Sequence, residues 1–301
     1  MKLLQRPVVT GRALIIGVPW LWLSIFFLLP FLFVLKISIS EPILAQPPYM
    51  DLLREFSDGL MTIKINLGNY LLLLEDPLYF NALLGSIEVA ALSTLFCVLL
   101  GYPMAYAIAR APDHMRLPLL MLIILPFWTS FLIRVYAWIG ILKNNGLLNQ
   151  ALMWLGIIDS PLEILHTPVA VYIGIVYSYL PFFVLPLYAT LVRMDLTLLE
   201  AAADLGCRPW KQFVLVTLPL SLPGLMAGAM LVFIPVMGEF VIPDLLGGPN
   251  TLMIGKLMWT EFFSNKDWPL ASALAAILLI VLIIPFVIMR HYEQRNEEAN
   301  S

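Results

Sequence analysis

Two carboxylates stand where an apolar chain should carry none: Glu88 at the start of one long apolar run and Glu239 at the end of another. A charge at the bilayer centre costs at least about 2.5 kcal/mol, so such a group faces a cavity or a partner rather than lipid. Glu239 follows Gly238, and Pro235 and Pro243 break the helix on either side. A broken helix beside a carboxylate makes a corner that can hold a cation. The alternative is a structural charge. Arg134, late in the third apolar run, is the expected ion-pair partner; snorkelling outward or repelling cations as a gate are its other possible roles.

A second stretch that could do chemistry is EAAADLGCRPWKQF, residues 200–213. Glu200, Ala201, Ala202, Ala203, Asp204 and Leu205 are mostly good helix formers. Gly206 suits the left-handed residue that ends a helix. Pro209 suits the first turn of the next one. Trp210, Phe213 and Val214 then form an apolar face. Helix, glycine turn, helix with large apolar side chains reads as a docking knob. An amphipathic connector lying on headgroups is the alternative.

Other chemistry finds little support. His114, His166 and His291 are scattered, Cys97 and Cys207 lie far apart, and no set has metal-ligand spacing. No nucleophile–base pairing is visible. GGPNTLMIGKL at 247–257 misses the phosphate-loop pattern, with Asn250 at the first glycine and Leu257 at the Ser/Thr position.

The elements that must position these residues are membrane helices. The chain has 301 residues, 61% hydrophobic and 12% charged, against roughly 25% charged in soluble domains. The net charge of −3 argues against nucleic acid as a partner. A helix needs about 20 apolar residues to cross a bilayer. Apolar runs cover 13–35, 89–109, 117–142, 169–192, 218–238 and 269–289. As spans they are read as about 13–35, 84–109, 117–142, 169–192, 218–242 and 269–289, in one all-α transmembrane domain over 1–301. The first run exceeds the length of a signal h-region and reads as a retained helix.

Basic residues set the orientation. With the N-terminus inside, Lys2, Arg6, Arg12, Arg110, Arg116, Arg193, Arg208, Lys211, Arg290 and Arg295 are cytoplasmic. Only Arg54, Lys64, Lys143, Lys256 and Lys266 lie outside. Both termini are therefore expected in the cytoplasm. The outside loop 39–80 is expected to carry short interfacial helices, the loop 194–217 to face the cytoplasm, and the polar tail EQRNEEANS to fray. Gly224 and Gly228 form a G-x-x-x-G pair for a helix or subunit contact.

The spacing Glu200-Ala201-Ala202, then Gly206, then Val216, Leu218 and Pro219 resembles the EAA loop of bacterial ABC-importer permeases. Val216 stands where isoleucine is usual. GYPMAYAIAR at 101–110, LPFWTSFLIRVYAWIGILKNNGLLN at 125–149, GEFVIPDLLGGPNTLMIG at 238–255 and FFSNKDWPLASA at 262–273 look like the putrescine and spermidine importers of that family, most like its putrescine-system permeases. The resemblance implies the type I importer fold, a bacterial inner-membrane location, and alternating access with a second, homologous permease. It implies two ATPase subunits that carry the ATP and Mg, and a periplasmic binding protein. It gives Glu200, Ala201, Ala202, Asp204, Gly206, Trp210 and Phe213 the role of coupling to the ATPase.

The charges agree with a cationic substrate. Glu41, Asp51, Glu55, Asp58, Glu75, Asp76, Asp159, Glu163, Asp244, Glu261 and Asp267 make the outer loops acidic, a field that favours cations. Contact with the binding protein is the other use for them. A polyamine needs spaced carboxylates and aromatic walls. Glu239, Glu88 and Asp244 are the candidate acids, and Trp128, Tyr136 and Trp138 the candidate walls. Two rivals remain: a permease of the same family for another small solute, and a stand-alone cation/H+ secondary transporter with Glu239 as proton carrier.

Overall fold

The computed structural model describes residues 11–55, 61–249 and 251–300. Lys2, Arg6, Asp58 and Asn250 lie outside the described residues, as do the side chains of Arg12, Arg54, Glu55 and Arg295. The chain packs as two units, Met1–Glu75 with Thr260–Ile277, and Asp76–Trp259 with Leu278–Ser301.

In the first unit, α1 (Gly11–Leu23), a π-helical turn (Ser24–Leu28) and α2 (Leu29–Ser38) form one apolar helix. Part of it, Ile15–Ser38, is long and apolar enough to cross a membrane. The outer loop departs from expectation. It holds an antiparallel ribbon, β1 (Leu53–Glu55) with β2 (Met61–Ile63), Leu53 opposite Ile63. One short helix does follow, α3 (Gly68–Glu75). Asn69 ties it back by donating from Nδ2 to the carbonyls of Ser38 (2.9 Å) and Ser40 (3.0 Å).

The second unit opens with α4 (Pro77–Arg110), whose first turn is capped by Asp76 Oδ1 accepting from the Leu78 N–H at 2.8 Å. Then follow α5 (Asp113–Ile124), a 3-10 turn (Leu125–Trp128), α6 (Phe131–Leu142), α7 (Leu147–Trp154) and α8 (Pro168–Leu191). After α9 (Thr197–Asp204) and α10 (Pro209–Gln212), a π-helical turn (Phe213–Thr217) leads into α11 (Leu218–Met237). Two short helices follow, α12 (Val241–Leu246) and α13 (Ile254–Trp259); the last helix, α14 (Trp268–Asn300), belongs to the first unit up to Ile277 and to the second from Leu278. This last helix runs through the polar tail that was expected to fray. Glu, Gln, Arg and Ala there are good helix formers, with no Gly or Pro to stop them.

Among the described residues, five helices are long and apolar enough to span a membrane, and the third expected span is the exception. It is not one straight helix over 117–142. Asp113–Trp128 and Phe131–Trp154 meet at 91°, and count as a sixth span only if taken as one broken element. Pro126 has no N–H for the preceding turn, and Thr129 is extended, with φ −99 and ψ 154.

Helices α4, α8 and α11 pack on one another as the core of this unit. Phe183 of α8 is fully buried between them. A Cβ at Gly101 of α4 or Gly228 of α11 would press on it. Gly224 likewise lies against Thr190 and the Pro186 carbonyl. The G-x-x-x-G pair is thus spent on a helix contact inside the chain.

Candidate functional site

The docking stretch folds as its grammar dictates. Asp195 Oδ1 accepts from the Thr197 N–H at 3.0 Å and opens α9. The helix closes at Leu205. The Gly206 N–H donates to the Ala203 carbonyl at 2.8 Å, and the Cys207 N–H to that of Ala202 at 3.0 Å. These are the two bonds of a Schellman turn, and they require a left-handed residue between them. Gly206 supplies it at φ +78. Pro209 starts α10, and Gln212 Nε2 donates back to the Cys207 carbonyl at 2.8 Å.

The two large aromatic side chains part ways. Phe213 packs inward, edge-on to Tyr102 (5.5 Å) and Tyr106 (5.8 Å) of α4. Trp210 stacks over Phe213 at 6.1 Å and is 73% exposed. Leu205, at the turn, is 89% exposed. Glu200, Ala201 and Asp204 are exposed and Ala202 is half-buried. The exposed knob is therefore α9, Leu205 and Trp210, with Phe213 as its root.

That root leads straight into the membrane. Pro209–Met237 is one helix of 29 residues, about 43 Å long. The π-helical turn within it has a local cause. Pro219 of the Leu218-Pro219 pair cannot donate to the Leu215 carbonyl and its ring crowds it. Tyr102 Oη and Ser221 Oγ, 2.8 Å apart, link this point to α4.

At the far end of the same helix sits Glu239, 8% exposed. Its Oε1 accepts from the N–H of Val241 (3.0 Å) and Ile242 (3.4 Å), the orphan donors that open α12. Tyr179 Oη donates to its Oε2 at 2.5 Å. The expected Arg134–Glu239 ion pair does not form. The Arg134 guanidinium lies over Phe127 (4.6 Å) and Phe131 (5.8 Å), with Nε and Nη1 buried and unbonded. Between the two charges runs a series of rings, Phe127 on Phe182 at 5.2 Å and Phe182 on Tyr179 at 6.1 Å. Glu239 is already satisfied by its own chain, and the rings hold the arginine away.

The other candidates scatter. Glu88 is exposed on α4. Trp128 and Tyr136 are exposed, and Trp138 packs edge-on to Tyr177 at 5.3 Å. Asp244 pairs with Lys256 Nζ at 3.0 Å, and Phe240 stacks on Trp259 at 4.5 Å. Sequence reasoning missed Tyr179, Lys256, Phe240 and Trp259 as parts of this corner. A phenol in an apolar run needs a bonding partner, which is the one signal that could have singled out Tyr179. Among the described residues, no group of His, Cys, Asp and Glu could hold a metal ion.

Comparison with known proteins agrees with this architecture. The chain is 42% identical over 261 residues to the spermidine/putrescine transport system permease protein PotB of Salmonella typhimurium, covering 87% of this chain and 86% of that protein. The protein of the same name from Escherichia coli K12 is 42% identical (87% and 90%), and that from Haemophilus influenzae 38% identical over 279 residues (92% and 93%). A chain of a bacterial ABC transporter that imports the acidic polysaccharide alginate superposes with TM-score 0.70 at 16% identity, covering 95% and 97%. A chain of the MetNI methionine ABC transporter does so with TM-score 0.55 at 15% identity, covering 72% and 95%. The fold is that of an ABC-importer permease, and the chain is a multi-pass protein of the bacterial inner membrane. With a family match running over residues 3–298, the chain belongs to the binding-protein-dependent transport system inner membrane components.

Proposed function

We propose that this chain is a permease subunit of an ATP-driven importer of polyamines, putrescine foremost. The observation that carries the energy-coupling half is the continuous helix from Trp210 to the Glu239 corner. A protein docked on α9 and Trp210 can move the far end of that helix as a rigid body, which is what alternating access needs. The chain carries no phosphate loop in its sequence, so ATP and Mg belong to a separate ATPase pair. A homologous second permease completes the pore, and a periplasmic binding protein delivers substrate to the acidic outer face. Both termini lie in the cytoplasm, as the basic residues demand. The polyamine half is supported by the substrates in the names of the relatives above and by the excess of acids in the outer loops.

The test is the reconstituted complex with purified binding protein. Putrescine-loaded binding protein should stimulate ATP hydrolysis and uptake, and spermidine ranks the two substrates. Glu239→Gln keeps an oxygen for the Val241 and Ile242 N–H groups but loses the charge. It should weaken uptake while assembly stays intact; unchanged kinetics remove Glu239 from the pathway. Uptake by this chain alone on a proton gradient would instead favour a secondary transporter.

A further inference from the structure

Helices α12 and α13 meet through two pairs, one turn apart. The Asp244 N–H donates to the Phe240 carbonyl at 3.0 Å, so these two residues share a face of α12. Lys256 and Trp259, three apart, share a face of α13. Across the gap, Lys256 Nζ lies 3.0 Å from Asp244 Oδ1, and the rings of Phe240 and Trp259 stack at 4.5 Å and 11°. A carboxylate beside aromatic rings is what an alkylammonium ion needs: a countercharge for the head and ring faces for the methylenes.

The group that occupies this carboxylate is itself an alkylammonium. A lysine side chain is four methylenes ending in an ammonium, the full carbon length of a 1,4-diammonium ion with half its charge. We infer that Lys256 is a tethered stand-in for the substrate's ammonium group, and that Asp244 with Phe240 and Trp259 forms an alkylammonium subsite which Lys256 vacates when substrate arrives. This rests on the polyamine reading of the proposed function.

The geometry makes the exchange inexpensive. The side chains of Asp244 and Lys256 are 56% and 32% exposed. A pair so placed is weak and reachable. The short helices do not depend on it for their seat. Ile242 and Leu246 of α12, and Ile254 and Leu257 of α13, are buried on their other faces. Swinging Lys256 away opens the exposed ion pair with Asp244 and leaves the apolar anchoring untouched. A substrate diammonium restores the charge balance at Asp244, and the displaced lysine returns when it leaves. The same device favours alkylammonium ions, whose methylenes cover the rings, over bare inorganic cations, and disfavours anions.

The experiment measures binding of radiolabelled putrescine to the purified permease–ATPase complex in nanodiscs, without binding protein, with butylamine as competitor. Lys256→Gln should lower the half-saturating putrescine concentration by about two- to fivefold, the size of the ion pair it removes. Butylamine should compete better there than in wild type. Asp244→Asn should raise half-saturation, and Asp244→Asn with Lys256→Gln should lose the gain. A merely structural clip would change assembly and melting but leave half-saturation in assembled complex unmoved. Unchanged or weaker binding in assembled Lys256→Gln complex overturns the inference and leaves the polyamine reading standing. If that variant does not assemble, Lys256→Met, which keeps the aliphatic stem, takes its place; failure of both makes the pair a clip and overturns it. A wild-type complex that hydrolyses ATP yet neither binds putrescine nor responds to loaded binding protein removes both readings together.

Discussion

Gly206 offers a clean test of the docking turn, because its surroundings separate backbone strain from crowding. Its φ is +78, and a Cβ built there meets nothing within 4 Å. A substitution therefore costs only the left-handed conformation, about 1–2 kcal/mol for an L-residue. That amounts to roughly a 5- to 30-fold drop in the population of the formed turn. The cost should follow left-handed tolerance rather than size: small for Gly206→Asn, about 1–2 kcal/mol for Gly206→Ala, and larger for Gly206→Val. Gly206→Asp tolerates the conformation but adds a negative charge at a helix C-terminus near Asp204, worth about 0.3–1 kcal/mol more. The assay is retention of the ATPase on purified permease together with stimulated hydrolysis. Melting of the permease itself should barely change, since the two Schellman bonds are local. A valine variant that couples normally refutes the role of the turn. An asparagine variant as damaged as the valine one shows that space at the docked surface, not conformation, is limiting.

Three further outcomes follow from buried features. Tyr179→Phe keeps the ring against Phe182 but strips Glu239 Oε2 of its donor, and should cost about 1–3 kcal/mol in thermal unfolding; an unchanged melting temperature would mean the carboxylate finds water instead. Gly228→Leu drives a side chain into the Phe183 backbone, and should cost about 1–3 kcal/mol or more as α11 is forced off α8; normal yield and melting would contradict the packing. At Asp267, just ahead of the last span, burial pushes the carboxyl above its ordinary value, the Leu270 N–H pulls it down, and Glu261 pushes it up. The folded state thus holds the proton more tightly than the unfolded chain. Its stabilising effect is complete below the ordinary carboxylate range and is lost as pH rises through the elevated value. Asp267→Asn, which keeps the cap on Leu270, should remove that part of the pH dependence of melting.

The helix–glycine–helix turn at 200–213 was legible because every instruction in it is local. Ala201 to Leu205 favour helix, Gly206 alone accepts the left-handed turn, and Pro209 restarts the helix, so fourteen consecutive residues sufficed. The straightness of the third span was not legible. Its composition satisfied the length rule, yet Pro126 and the extended Thr129 turned it through 91°. Hydropathy records where a helix is affordable in lipid but not where its axis turns. The ribbon β1–β2 was missed for another reason: three-residue strands carry too little periodicity to read.

What the sequence determined by itself was the solvent, the helical content and the helix–glycine–helix turn at 200–213, because length, apolarity and capping act within a few residues of one another. Tertiary structure alone decided which partner each charge takes. Arg134 and Glu239 stand 105 positions apart in a chain that offers each several alternatives. Packing of the 3-10 turn and α6 against α8 and α12 put rings between them and gave Glu239 to Tyr179, and packing of α13 on α12 gave Asp244 to Lys256. Glu239 takes the donors that the fold brings within about 3 Å, and that is a property of three dimensions rather than of spacing.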